Sequence, residues 1–194
     1  TNNRTVVAAT GQIGGGASTT AASSQYLTAA LDASSNGLNF TNYTISFWAK
    51  PSSAVSAYGL FQWANSGQPL SGGPSVYFRN NDTSGGQVTL YTDPGAYVIA
   101  GVTAAYDTWH LFTLTFDGTN FHVYVDDAEP SSAAAGTWTT INANVAYFGS
   151  GFAGYATALY DEMRISNSAR SLNWTKTSYY NQNSPSTFYS VGSE

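Results

Sequence analysis

Short stretches of alternating hydrophobic and polar residues, each closed by a turn cluster, recur along most of the 194-residue chain. One of them alternates from Tyr43 and stops at Pro51, and residues 117–120 (DGTN) form a strong hairpin signal between two others. Short strands with regular turn signals favour an antiparallel sandwich over βαβ units. The predicted strands lie at residues 43–49, 59–63, 75–79, 87–91, 97–102, 109–116, 121–125, 145–149 and 156–165.

Two segments depart from this strand pattern. Ser168 can cap one short helix over residues 169–174. Residues 11–24 are rich in Gly and Ser and predict a flexible stretch, which a candidate edge strand at residues 5–8 precedes. The sequence shows no internal repeat, so we expect residues 1–194 to form a single domain with a full core.

Charged residues are scarce in this chain and aromatic residues are abundant. Only 9% of positions are charged and 15% are aromatic, and the net charge is -5. Six cations on an acidic chain cannot neutralise a phosphate backbone, so a nucleic-acid partner is excluded. Membrane insertion is also excluded, because no apolar run approaches the roughly 18–20 residues that span a bilayer. The composition therefore favours an uncharged partner.

The composition also predicts where the protein works. There is no Cys, so disulfides, thiol catalysis and zinc–thiolate sites are impossible. Few Lys, many Ser, Thr and Asn, and no Cys are typical of a bacterial extracellular module. The chain starts at Thr1 without a signal peptide, so we expect it to come from a longer secreted or cell-surface protein with other domains.

Several strings resemble, in order, those of laminin-G-like domains with the concanavalin A-like jelly-roll fold. Residues 44–51 (TISFWAKP) resemble one strand of that family, residues 109–126 resemble its hairpin, and residues 160–166 (YDEMRIS) resemble its closing strand. The resemblance covers residues 5–192 and implies an all-β, two-sheet antiparallel jelly-roll sandwich with one short C-terminal helix. The family's hairpin usually has Gly where this chain has Asp127, a departure that leaves two adjacent carboxylates.

Catalytic groupings are scarce. Glycoside hydrolysis usually needs two carboxylates across a cleft, and the chain has only three Glu and no E-x-D-x-x-E string. Glu162 and Arg164 share a strand face and predict an ion pair. His110, in the family's W-H position, predicts a buried and hydrogen-bonded residue. We therefore expect no catalytic residues, and a polysaccharide lyase or glycoside hydrolase on this fold stays the lesser alternative.

The resemblance also implies a structural Ca²⁺, with Asp161 as the first candidate ligand and Asp32 as the second. Strand alternation puts Asp161 on the same side as Met163 and Ile165, toward the core. A buried carboxylate needs a partner, which could be calcium or a cluster of backbone N–H groups.

Alternation also picks out aromatic residues that point away from the core. If the hydrophobic positions of residues 75–79 and 87–91 point inward, then Tyr77, Arg79 and Tyr91 point outward. Pairing of the two strands would place these three residues on one exposed face. Trp63 and Tyr97 lie at strand ends near Gly/Pro loops, where binding residues concentrate.

These residue types suit a sugar ligand, because Tyr and Trp rings pack on sugar C–H faces and Arg reaches ring hydroxyls. The sequence therefore predicts a non-catalytic carbohydrate-binding module that recognises a neutral polysaccharide. An adhesion or spacer domain of a bacterial surface protein is the alternative, in which the same aromatics pack against a neighbouring domain. The predicted sugar-binding residues are Trp63, Tyr77, Arg79, Tyr91 and Tyr97.

Overall fold

The computed structural model describes residues 2–3, 6–30, 40–52, 57–64, 75–80, 86–91, 102–128, 134–135, 145–151 and 154–188. Two β-sheets form most of the described part. The strands in chain order are β1 (Asn2–Asn3), β2 (Val7–Thr10), β3 (Gly15–Thr19), β4 (Tyr26–Ala30), β5 (Tyr43–Pro51), β6 (Ala57–Ala64), β7 (Ser75–Asn80), β8 (Gly86–Tyr91), β9 (Val102–Ala104), β10 (His110–Phe116), β11 (Asn120–Val125), β12 (Ala134–Ala135), β13 (Val145–Phe148), β14 (Ser150–Gly151), β15 (Gly154–Tyr155) and β16 (Ala158–Ser166). The helices are a 3-10 turn at Ala21–Ser23, α1 (Leu172–Asn183) and α2 (Pro185–Phe188).

The strands divide into two sheets whose inner faces share one core. Sheet A has the order β1-β4-β13-β6-β7-β8-β9, and sheet B has the order β12-β11-β10-β5-β16-β3-β2. The short strand β14 pairs with β15, which runs parallel to β6, and the other pairs in the described chain are antiparallel. The predicted all-β, two-sheet antiparallel sandwich is confirmed.

Aromatic rings fill the space between the sheets, with Phe47 of β5 at the centre. Phe47 is fully buried, and its ring centroid lies 5.5 Å from that of Phe112 in sheet B and 5.5 Å from that of Phe148 in sheet A. The rings of Phe61 and Tyr160 lie 5.9 and 6.2 Å away. Because Phe47 contacts rings from both sheets, it joins the two layers directly.

Strand β5 is buried on both of its faces. Tyr43, Ile45 and Phe47 belong to the core, while Thr44 and Ser46 on the outer face are also buried. Strand alternation accounts for the inner face only. The outer face is buried because the C-terminal segment packs over it.

Helix α1 lies on the outer face of sheet B. The indole Nε1 of Trp48 donates to Oε1 of Gln182 at 2.6 Å, and the Trp48 ring lies 5.8 Å from that of Tyr179. Thr175 is the fully buried residue of this helix. The hydroxyl of Tyr180 donates to Asp127 at 2.5 Å, which ties the helix to the turn between β11 and Ala128.

The C-terminal helix is longer than predicted and begins later. Ser171, not Ser168, is the N-cap, and its hydroxyl accepts from the backbone N–H of Trp174 at 3.3 Å. The Ser168 carbonyl instead accepts from the Thr44 hydroxyl of β5 at 2.7 Å. Pro185 separates α1 from α2, because proline cannot continue a hydrogen-bonded helix. The described chain thus has two C-terminal helices where the sequence predicts one.

The prediction of a flexible stretch at residues 11–24 is wrong. Residues 15–19 form β3, which pairs with β2 on one side and β16 on the other. Thr19 at the end of β3 is buried, and its hydroxyl donates to the carbonyl of Ala156 at 2.8 Å. Gly16 allows β3 to approach the backbone of β16 closely, so the Gly and Ser residues here serve strand packing and not flexibility. The candidate edge strand before it is confirmed as β2, shifted to Val7–Thr10.

The hairpin signal at residues 117–120 corresponds to the tight turn between β10 and β11. The carboxylate of Asp117 accepts from the backbone N–H groups of Thr119 at 2.8 Å and Asn120 at 2.6 Å. Gly118 has a positive φ of 95°, which favours glycine at this position. The hydrogen bonds from Asn120 and Thr119 lower the pKa of Asp117 below its ordinary value.

No helix in the described part of the chain is long and apolar enough to cross a membrane.

We expect Phe47→Ala to lower the free energy of unfolding by about 3–5 kcal/mol, because it removes a buried ring at the junction of both sheets. Urea denaturation followed by tryptophan fluorescence measures this loss. Val7→Ala, at a residue 60% exposed, is the control and should change stability by less than about 0.5 kcal/mol. Equal effects of the two substitutions would contradict the central position of Phe47.

We expect Asp117→Asn to destabilise the protein by less than about 1 kcal/mol, because the hydrogen bonds it weakens are solvent-exposed. The lowered pKa means that this stabilisation is present above the ordinary value of 3.8 and is lost as the pH falls through the folded-state pKa. Urea denaturation at a series of pH values should therefore show the two proteins converging in acid. A difference that is constant with pH would contradict this.

Candidate functional site

The outer face of sheet A carries aligned tyrosine positions. On β4, β13 and β6 the residues that alternate with the core are Thr28, Tyr147 and Gln62, which lie opposite one another in the antiparallel register. This row continues onto the next two strands. Its members from β4 to β8 are Thr28, Tyr147, Gln62, Ser75 and Tyr91.

A second row runs beside the first on the same face. Tyr155 of β15 lies opposite Gly59, which lies opposite Tyr77, which in turn lies opposite Thr89. We call this outer face of sheet A the tyrosine face, defined by Tyr26, Tyr147 and Tyr155 with the backbone positions of Tyr77, Arg79 and Tyr91.

Tyr26 connects the two rows at the β4 side of the tyrosine face. Its ring is stacked with that of Tyr155, with centroids 6.0 Å apart and an interplanar angle of 14°. It is tilted against Tyr147, with centroids 5.6 Å apart. Tyr26 and Tyr155 are half-buried, whereas Tyr147 beneath them is buried. A pair of partly exposed rings supported from below is a rigid apolar platform with polar hydroxyls.

The register confirms that the two strands carrying Tyr77, Arg79 and Tyr91 pair with each other. On β8, residues 87, 89 and 91 alternate with Val88 and Leu90, which are in the core. On β7, Arg79 lies opposite residue 87 and Tyr77 lies opposite residue 89. The three backbone positions therefore share the outer face of sheet A, as predicted. Thr89 on the same face is buried, and its hydroxyl has no hydrogen-bond partner among the described residues.

The prediction of Trp63 as a sugar-binding residue is wrong. Trp63 is fully buried in the core, where its ring packs edge-on against Tyr43 at 5.3 Å and Phe40 at 6.0 Å. Trp63 lies two residues after Phe61 on β6, so the two side chains point to the same, inner face. Tyr97 lies outside the described residues.

Sequence reasoning missed Tyr26 and Tyr155. Tyr26 and Thr28 alternate with Leu27, which packs against the core, but the surrounding Gly, Ser and Ala hide this short strand. Tyr155 stands in a two-residue strand that follows no periodic pattern. The Tyr-Leu-Thr alternation is a sequence signal for β4. The position of Tyr155 can be seen only in the folded structure.

Asp161 is buried, but on the outer face of sheet B and not toward the core as predicted. It lies opposite Trp48, while its neighbour Tyr160 belongs to the core. A β-bulge between Asp161 and Arg164 inserts one extra residue, and Glu162 within it has a φ of 50°. The extra residue reverses the alternation, which is why Ile165 faces the core and Asp161 does not.

Backbone N–H groups satisfy the Asp161 carboxylate. Oδ2 accepts from Ile13 at 2.7 Å and Oδ1 accepts from Glu162 at 2.8 Å. A Cβ on Gly11 would overlap the carboxylate, so glycine is required there for the close approach. The sequence allows calcium or backbone N–H groups as the partner of this carboxylate, and the structure shows backbone N–H groups. The described residues contain no group of three or more metal-ligating side chains. Calcium at Asp161 stays a prediction, and Asp32 lies outside the described residues.

His110 and Asp126 form a half-buried pair at the end of the β10–β11 hairpin. The Nε2 atom of His110 accepts from the backbone N–H of Ala105 at 3.1 Å, so Nδ1 carries the proton and donates to Asp126 at 2.7 Å. Asp126 also accepts from the backbone N–H of Leu111 at 2.9 Å. Both ring nitrogens of His110 are therefore engaged, as predicted, but the residue is half-buried where the sequence predicts a buried one.

The other predicted polar contacts are structural as well. Arg164 donates to Glu162, which confirms the predicted ion pair. Asp126 adopts a positive φ of 58°, and the tight turn of Asp126 and Asp127 closes through hydrogen bonds between Val125 and Ala128. The left-handed conformation in this turn belongs to Asp126, which tolerates it, and not to Asp127, where the family usually has glycine.

A two-layer antiparallel sandwich with this strand order defines a jelly-roll domain. A family model described as the concanavalin A-like lectin/glucanase superfamily, laminin G type, matches residues 18–174. The chain belongs to this superfamily, which confirms the resemblance seen in the sequence. A search of curated protein sequences finds no match to this chain.

Solved structures share the fold at low sequence identity. Domain 4 of AbnA, a GH43 extracellular arabinanase from Geobacillus stearothermophilus in complex with arabinotriose, has a TM-score of 0.67 and 16% identity over 90% of this chain and 81% of that one. The binding domain of botulinum neurotoxin serotype G has a TM-score of 0.67 and 16% identity, and the match covers 95% of this chain but 47% of that one. A heptameric SAP-like pentraxin from Limulus polyphemus has a TM-score of 0.58 and 9% identity over 78% and 80%.

We expect Asp161→Asn to lower the free energy of unfolding by about 1–3 kcal/mol, because an amide NH₂ would face one of the two buried backbone N–H groups. Urea denaturation measures the loss. Glu162→Gln, which removes a largely exposed ion pair, is the control and should cost less than about 1 kcal/mol.

Repeating the urea denaturation of the wild type with EDTA tests the predicted calcium separately, since removing a bound structural ion would destabilise the wild type.

Proposed function

We propose that this domain binds a neutral polysaccharide along the tyrosine face and catalyses no reaction on it. The observation that carries the proposal is the alignment of tyrosine positions in two registered rows on one face of sheet A. Tyrosine offers an apolar ring for the C–H face of a sugar and a hydroxyl for its polar edge.

The tyrosine positions of the first row span four strands of sheet A. Tyr147 and Tyr91 are separated by three strand spacings, from β13 through β6 and β7 to β8. At about 4.8 Å between neighbouring strands, these positions are about 14 Å apart. Because Tyr147 and Gln62 are buried, the described rings of this face that a sugar can reach are those of Tyr26 and Tyr155.

The charge of the protein supports a neutral ligand. The chain has a net charge of -5, which disfavours a polyanionic polysaccharide. The described positions of the two rows are otherwise tyrosine, threonine, serine, glutamine and glycine. Arg79 on β7 is the charged residue that the sequence predicts on this face.

The similar solved structures support a sugar ligand. Domain 4 of the arabinanase has nearly the same extent as this chain and was solved with arabinotriose. It is a domain of an extracellular enzyme, which supports a secreted parent protein with other domains for the present chain. We take arabinan as the first neutral polysaccharide to test.

The absence of catalysis is part of the proposal. The carboxylates of Asp126, Asp127, Asp161 and Glu162 each have a hydrogen-bond or ion-pair partner within the fold. His110 has no free ring nitrogen to act as a base. The corresponding test is release of soluble sugars from the same polysaccharides, and measurable release would contradict this part of the proposal.

We expect native gels containing arabinan or another neutral polysaccharide to retard the domain. Tyr155→Ala should weaken binding about three- to tenfold, because it removes one ring of the platform. Tyr155→Phe is the matched control, since it keeps the ring and should bind within about twofold of wild type. If no neutral polysaccharide in a broad panel retards the folded domain, the proposal is wrong.

A further inference from the structure

A groove lies between α1 and α2, on the opposite side of the molecule from the tyrosine face. Four of its residues, Asn173, Lys176, Thr177 and Tyr180, follow the i, i+3, i+4, i+7 spacing of one helix stripe. Thr187 and Phe188 of α2 form the other side. We call this feature the helix groove, and these six residues define it.

The break at Pro185 creates the helix groove. Ser184 ends α1 with φ of -142° and ψ of 61°, and its backbone N–H donates to the carbonyl of Tyr180 at 3.0 Å. The backbone N–H of Phe188 then donates to the Ser184 carbonyl at 3.1 Å, which closes the single turn of α2. The change of direction sets the Phe188 side chain beside the exposed stripe of α1.

Exposed aromatic surface is concentrated in this groove. Tyr180 is 45% exposed and Phe188 is 43% exposed. Among the residues that the structure describes, five large hydrophobic side chains are exposed, and two of them line this one groove. Exposed apolar surface gathered at one place marks a binding site more often than scattered exposure does.

The polar groups of the helix groove are suited to a polyhydroxylated ligand. The Tyr180 hydroxyl is bonded to Asp127, and this bond raises the tyrosine pKa, so the ring of Tyr180 is the part left for a ligand. The groove also presents the Asn173 amide and the Lys176 ammonium. The Thr187 hydroxyl donates to the Ser184 carbonyl at 3.0 Å and is left as an acceptor. The groove volume of about 410 Å³ is within the range of roughly 300–1,000 Å³ usual for small-molecule sites.

The electrostatics of the groove favour a neutral ligand over an anion. Lys176 is the one cation that lines it, and the carboxylate of Asp127 lies at the end of the Tyr180 ring. With the net charge of -5 as well, an acidic sugar gains little here. Two rings with amide and ammonium donors match a neutral sugar unit.

We propose that the helix groove is a second sugar-binding site, so that one domain bridges two polysaccharide chains. The ligand class rests on the proposed function, whereas the position of the site does not. Helix α1 covers the outer face of sheet B, and the tyrosine face is the outer face of sheet A. The two sites are separated by both sheets and the helix, so one sugar unit cannot occupy both.

The test compares wild type, Phe188→Ala, Tyr155→Ala and the double variant, with arabinan and the other neutral polysaccharides of the panel as probes. Wild type should be retarded in gels and should raise light scattering by cross-linking the dissolved polysaccharide. Phe188→Ala should lose the scattering increase while gel retardation persists, and the apparent affinity for the polymer should fall about tenfold or more with the loss of avidity. The double variant should lose both signals.

Two control variants separate the groove from the fold of its helices. Ser186→Ala changes an exposed residue of α2 that does not line the groove and should behave as wild type. Tyr180→Phe keeps the ring and should keep the scattering increase. Circular dichroism of Phe188→Ala must match wild type, and a Phe188→Leu variant with intermediate scattering would support ring stacking.

The two proposals fail in different ways. If Phe188→Ala scatters and migrates as wild type does on a polysaccharide that retards the domain, the second site is wrong and the proposed function stands. If Phe188→Ala abolishes retardation while Tyr155→Ala does not, the groove is a sugar site and the tyrosine face is wrong. If no polysaccharide retards the wild type, both are wrong.

Discussion

The structure depends on a strand that is buried on both faces. The inner face of β5 places Phe47 between the two sheets, within 6.2 Å of rings from β6, β10, β13 and β16. The outer face of the same strand carries Thr44, Ser46 and Trp48, which helix α1 and the segment before it cover. Strand β5 therefore contacts three layers: it belongs to sheet B, it packs against sheet A through Phe47, and it bonds to helix α1 through Trp48.

This three-layer stack explains where binding surfaces can exist. The inner faces of both sheets are filled with rings, and the outer face of sheet B is covered by α1. Two surfaces are left for ligands: the part of the outer face of sheet A where Tyr26 and Tyr155 are partly exposed, and the outer side of α1. The tyrosine face and the helix groove occupy these two surfaces, and each presents tyrosine rings whose support comes from the layer beneath.

Strands β5–β8, β10 and β11 could be predicted because their residues alternate with a period of two. All but the last residue of the strand predicted at 97–102 lie outside the described residues, and β9 begins at Val102. The same rule, applied to Trp63 from its neighbour Phe61, would have placed it in the core. Asp161 could not be placed, because the bulge that reverses the alternation leaves no sequence signature. Strands β3 and β4 were hidden by Gly, Ser and Ala. In β3 the small residue allows close approach between backbones, as at Gly16 against the Tyr160 carbonyl.

The interface between α1 and sheet B has a different composition from the core. It is formed by hydrogen bonds such as Trp48 to Gln182, by one buried threonine, Thr175, and by the ring of Tyr179, which is tilted against that of Trp48. Hydrophobic association weakens on cooling, whereas hydrogen-bonded contacts have a favourable enthalpy and weaken on warming. The hydrogen-bonded share of the helix interface, and with it the support of the groove, therefore changes with temperature in the opposite sense to the apolar core.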